Sequence, residues 1–133
     1  MKKPIEELLE KPCWIIDILP MQVPSESGGQ FFAVERWFLR KEEMDRIKQK
    51  HIRLILKLNC FHSLSLDDEE EVNPAPDRIA AEMKRRYLYI RIRDSIILSE
   101  PDDTHMTVFD PDSELLQLIQ KTAPSEGLYV WKT

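Results

Sequence analysis

A chain of 133 residues with 42% apolar and 32% charged side chains is the usual size of one domain, 1–133, and carries material for a core and a solvated shell, which excludes disorder along its whole length. A net charge of −5 argues against nucleic acid as a partner, and the longest apolar stretches, such as Trp14-Ile15-Ile16 and Ser95-Ile96-Ile97-Leu98, fall far below the roughly 18 residues of a membrane span. Two cysteines without paired spacing, Cys13 and Cys60, exclude a disulfide scaffold.

The N-terminal stretch has a basic start but no apolar run and no small-residue cleavage site, so it does not read as a secretory signal. The expectation is a cytoplasmic protein with buried, reduced thiols and no membrane partner. Residues 4–11 then read as a short helix, with Ile5, Leu8 and Leu9 at helical spacing between Pro4 and Pro12. Residues 13–19 are aromatic and β-branched and predict a strand ending at Pro20. Residues 23–30, rich in Pro, Ser and Gly, read as a loop. The segment 31–38 is apolar and aromatic on both alternating faces and predicts a second strand, on which Phe32, Val34 and Phe38 would leave an apolar patch for a partner or for self-association.

Residues 40–50 predict a helix with Met44, Ile47 and His51 on one stripe. Ile52, Leu54, Leu56, Leu58 and Cys60 then alternate without a break, which predicts a strand. A single helix through residue 59 is the alternative, because Met44, Ile47, His51, Leu54 and Leu58 also share one helical face. Residues 62–75 read as an acidic loop. Residues 76–86 predict a helix with Ile79, Ala80 and Met83 inward and Lys84, Arg85 and Arg86 in its last turn, where cations suit the helix dipole. Strands follow at 87–93, 96–99 and 104–109. The helix at 111–122 is the clearest element, with Asp110 as N-cap, Pro111 at the first helical position and Leu115, Leu118 and Ile119 as the buried stripe. A strand at 128–131, apolar on both faces, is expected in the sheet interior.

This order predicts an α+β (or α/β) fold: a single mixed β-sheet of about five to seven strands packed with about three to four helices. The segment 52–93 could form one βαβ unit with a right-handed crossover.

Glycine is too scarce for a phosphate-binding loop, since neither glycine-rich pattern can be written with Gly28, Gly29 and Gly127. No cofactor is expected. The assembled candidates for acid–base or metal chemistry are Cys60 and His62 at the end of one predicted strand, and Asp102, Asp103 and His105 before another. The ordinary alternatives are a core thiol for Cys60, a turn for Asp102–His105, and a half-buried stripe residue for His51. The other candidate surface is basic: Lys84, Arg85, Arg86, Arg91 and Arg93 precede an acidic block that begins at Asp94. Either these blocks neutralise one another on the folded surface, or they form a patch for an acidic partner. The chemistry favours a non-enzymatic protein-binding or regulatory module. The alternatives are a small hydrolase or metal-dependent enzyme built on His62, His105 and a carboxylate, and nucleic-acid binding through residues 84–93.

Overall fold

The computed structural model describes residues 3–133; Met1 and Lys2, where the basic N-terminal stretch starts, lie outside it. Five α-helices and six strands follow one another as α1 (Ile5–Leu8), β1 (Cys13–Asp17), α2 (Gly28–Phe38), α3 (Lys41–Asn59), β2 (Leu64–Leu66), α4 (Pro76–Arg85), β3 (Leu88–Ile92), β4 (Ser95–Ser99), β5 (Met106–Phe109), α5 (Ser113–Thr122) and β6 (Tyr129–Lys132). The strands form one sheet in the order β2-β3-β4-β5-β1-β6. The α+β fold with helices packed on a single sheet is thus the one expected. Every neighbouring pair runs antiparallel.

Alternation along the strands divides the sheet into two unlike faces. The inner face presents Ile16, Leu88, Ile90, Ile92, Ile97, Met106 and Val108 to α3, α4 and α5, whose Leu54, Ile55, Leu58, Ile79, Met83, Leu115 and Ile119 complete the core. The outer face carries Ile15, Ile96, Leu98, Thr107, Phe109 and Trp131. Among the described residues, the short α1, through its buried Leu8, the segment around α2, and Lys3 and Asp68 over Arg91 lie on it.

Four expectations are corrected. The alternation at 52–60 is helical: α3 runs unbroken to Asn59, because Ile52, Leu54, Ile55 and Leu58 are buried on an arc wide enough to meet both the sheet and the flanking helices. No βαβ unit spans 52–93, since β2 and β3 pair antiparallel. The segment 31–38 is helix α2 rather than a strand. The last strand, β6, forms an edge of the sheet with Tyr129 and Lys132 exposed, not its interior.

The other edge, β2, lies inside the predicted 62–75 loop. Asn73, held at φ +54°, seals it: its amide N–H donates to Leu64 O (2.8 Å) and its Oδ1 accepts from Leu64 N (3.0 Å). Asparagine tolerates this left-handed backbone better than most residues.

Helix α5 begins two residues later than expected. Asp112, not Asp110, is the N-cap, accepting from Leu115 N at 2.8 Å, while Asp110 takes a left-handed turn (φ +53°) before Pro111. Asp112→Ala is expected to lower stability by about 1–2 kcal/mol in urea unfolding. A change below about 0.3 kcal/mol would mean that the cap contributes nothing to the fold.

Candidate functional site

After Asp17 the chain leaves β1 and crosses the outer sheet face. It makes a 3₁₀ turn at Ser25–Ser27 and enters α2, which ends at Phe38 and is separated from α3 by Leu39 and Arg40. A groove of about 490 Å³ remains between this excursion and the sheet. Its floor is Ile15, Asp17 and Trp131, its end wall Thr104 and His105, and its roof the Phe31, Phe32, Glu35 and Phe38 side of α2. A cavity of this size and apolar character is typical of ligand sites.

The roof is unusual. Helix α2 reads Gly-Gly-Gln-Phe-Phe-Ala-Val-Glu-Arg-Trp-Phe, yet none of its residues is buried. Phe32 is 59% exposed, Val34 51% and Trp37 46%, and the neighbouring Met21 is 65% exposed. Of the patch expected on a strand at Phe32, Val34 and Phe38, Phe32 and Val34 are exposed but on a helix, where residues two apart point to different sides, and Phe38 is half-buried.

Behind the end wall lies a cluster of ionisable groups. Lys48 and His51, one turn apart on α3, are buried, and the Lys48 ammonium donates to His51 Nδ1 at 3.1 Å. That bond places the imidazole proton on Nε2. Burial, reinforced by the Lys48 charge, pushes the His51 pKa down to about 3, so the ring is neutral. Burial also lowers Lys48 to about 8, against the pull of Asp103, Asp102 and Glu100.

On the β4–β5 loop, His105 Nδ1 meets Asp103 Oδ1 at 2.8 Å, which raises the imidazole pKa despite its burial. Burial acts to raise Asp103 as well, but the bond to His105 prevails and holds the carboxyl below its usual range. Burial raises Asp17, whose Oδ1 accepts from Ile18 N at 2.7 Å. Asp103 and His105 are thus a preformed acid–base pair, with the imidazole facing the groove. The pairing fits the reading that a carboxylate in Asp102–His105 orients the imidazole; Asp103, rather than Asp102, makes the bond.

His62 and Cys60 lie elsewhere. They follow the C-terminal end of α3, which is about 12 Å along the helix axis beyond His51. His62 lines a separate depression beside Glu114, Gln117 and Lys121 of α5. Cys60 is exposed rather than a core thiol, and His51 is fully buried rather than half-buried. Among the described residues, no three His, Cys, Asp or Glu side chains stand where they could hold a metal ion. No described helix is long and apolar enough to cross a membrane.

The basic stretch is largely committed to ion pairs. Arg85 pairs with Glu82, Arg86 with Glu82 and Asp67, Arg91 with Asp68, and Arg93 with Asp112, while Lys84 stays exposed. The charge boundary at Arg93 and Asp94 is the two-residue turn of the β3–β4 hairpin. Sequence reasoning missed Asp17 and Lys48. The signal available was Lys48 itself, a cation falling on the same helical stripe as Met44, His51, Ile52 and Ile55. No protein-family model matches this chain, and neither a curated protein nor a solved structure matches it significantly.

Proposed function

We propose that this protein is a non-enzymatic binding module that takes an apolar segment of a partner protein into the groove beneath α2. The observation that carries the reading is the roof helix, which is apolar yet buries none of its residues. Contiguous apolar surface of this kind on a folded chain marks interaction sites, and each aromatic or aliphatic side chain covered contributes about 1.5–3 kcal/mol. The groove continues that surface inward to Ile15 and Trp131.

A fluorescein-labelled 14-residue peptide of leucine and glutamine, patterned as an amphipathic helix, tests it by fluorescence anisotropy. The parent protein should bind it, and Phe32→Ser/Val34→Ser should weaken binding at least about tenfold with an unchanged melting temperature. Equal binding by parent and variant would remove the groove as the contact surface.

The Asp103–His105 pair supports a second reading, a small hydrolase in which His105 acts as general base towards water in the groove. His105→Ala would then abolish hydrolysis of a short acyl ester. Turnover that survives the substitution, or no turnover by the parent, rejects it.

A further inference from the structure

We infer that the segment taken into the groove is not merely apolar but carries a lysine or arginine, whose cation sits between Asp17 on the floor and Glu35 on the roof. This rests on the binding-module reading and specifies the chemistry of its partner. Among the described residues, the charged side chains lining the groove are Asp17, Glu35 and His105, with no lysine or arginine. The positive charge available to His105 is matched by Asp103 at 2.8 Å, which leaves two carboxylates in excess.

Neither carboxylate has an ion pair with a lysine or arginine among the described residues, whereas Asp67, Asp68, Glu69, Glu82, Asp112 and Glu126 all do. The cations nearest in sequence to Glu35 are turned to other partners. Arg36 Nε donates to Phe32 O at 3.5 Å, and the Arg40 guanidinium lies 4.8 Å from the centre of the Trp37 ring. Asp17 is buried, and burial raises its pKa even against the backbone bond from Ile18 and the charge of His105, which is itself paired to Asp103. Phe31, Phe38 and Trp131 add aromatic rings to the same walls, and such rings attract cations. A purely apolar segment would cover these two carboxylates and leave them uncompensated; one with a cation would pair them.

Three labelled peptides with the same leucine pattern test this, with lysine, glutamine or glutamate at the polar positions. The lysine peptide should bind at least tenfold tighter than the glutamate peptide, with the glutamine peptide between them, and the preference should shrink as salt is raised. Glu35→Gln, and separately Asp17→Asn, should each reduce the preference at least threefold. Glu70→Gln, an exposed carboxylate elsewhere, should leave it unchanged and so control for net charge. Equal binding of all three peptides, or loss of preference in Glu70→Gln alone, overturns the cation assignment and leaves the groove reading standing. Failure of all three peptides to bind overturns the groove reading itself. Binding of hexyltrimethylammonium without any peptide assigns the groove to a small amine instead and overturns the peptide partner.

Discussion

Asp68→Asn is expected to cost about 3 kcal/mol of stability, read as a fall in the urea midpoint with an unchanged slope. The reason lies with its partner. Arg91 sits on the outer sheet face but is only 4% exposed, held by a fork to Asp68 (Nε–Oδ1 2.6 Å, Nη2–Oδ2 3.1 Å) and by donation from Nη2 to Lys3 O at 2.7 Å. Its Nη1 is buried with no hydrogen-bond partner among the described residues. Neutralising Asp68 therefore leaves a buried guanidinium without its counter-charge. Asparagine is the informative substitution because Asp68 has φ +57°, a backbone state asparagine tolerates. The double variant Asp68→Asn/Arg91→Met should be more stable than Asp68→Asn alone, since an apolar side chain needs no counter-charge. A single variant within about 0.5 kcal/mol of the parent would show that the fork contributes little.

The second large effect is on acid stability. His51 is neutral in the fold, with its pKa pushed to about 3, whereas in the unfolded chain it titrates near 6.5. Below pH 6.5 the unfolded state takes up a proton that the folded state refuses, so stability falls as pH falls, and the loss is complete near pH 3. The shift corresponds to at most about 5 kcal/mol, of which about 3 should be lost between pH 6.5 and 4.

His105 acts in the opposite sense. Its raised pKa contributes stability that is fully present below pH 6.5 and is lost as pH rises through the folded value. Asp17 and Glu100, with raised pKa values, also oppose the loss on acidification. His51→Gln, compared with the parent at each pH, isolates the contribution. The variant should show a slope between pH 4 and 6.5 that is flat or reversed. A slope equal to the parent's would mean that His51 is not the group being titrated. Lys48, lowered to about 8, should add a second loss as pH falls from about 10.5 to 8, which disappears in Lys48→Met.

The parts of the fold legible in the sequence are those where local chemistry and tertiary environment agree. Helix α5 has an aspartate at its start, a three-residue apolar stripe and Pro124 beyond its end, so its place follows from those residues within about two positions. Strand β3 alternates in residue type because Leu88, Ile90 and Ile92 meet the core while Tyr89 and Arg91 face outward. Ile52 to Cys60 alternates too, but for another reason. Helix α3 is buried on two flanks, and a wide helical stripe includes every second residue over a short window. Ile55, buried at an odd position, is the residue that breaks the alternation.

The segment 31–38 misled because aromatics usually buy their place in a strand or core, and here they roof a groove. The candidate site was half legible. Asp103 and His105 are close in sequence, so their pairing could be anticipated. Asp17, Lys48 and His51 join them only because β1, α3 and the β4–β5 loop converge at one end of the sheet. His62, at the far end of α3, shares nothing with them.

Helix α2 has a kinetic consequence. A helix that buries no residue is held by few tertiary contacts, so its amide hydrogens should exchange with solvent through a local opening that leaves α3 and the sheet intact. Exchange in α2 would then be insensitive to mild denaturant, while α3 amides around Leu54 and Leu58 would exchange only on global unfolding. The roof of the groove would rise and close many times within the lifetime of the folded core. The rate at which a bound segment escapes would then be set by that opening and not by the stability of the protein.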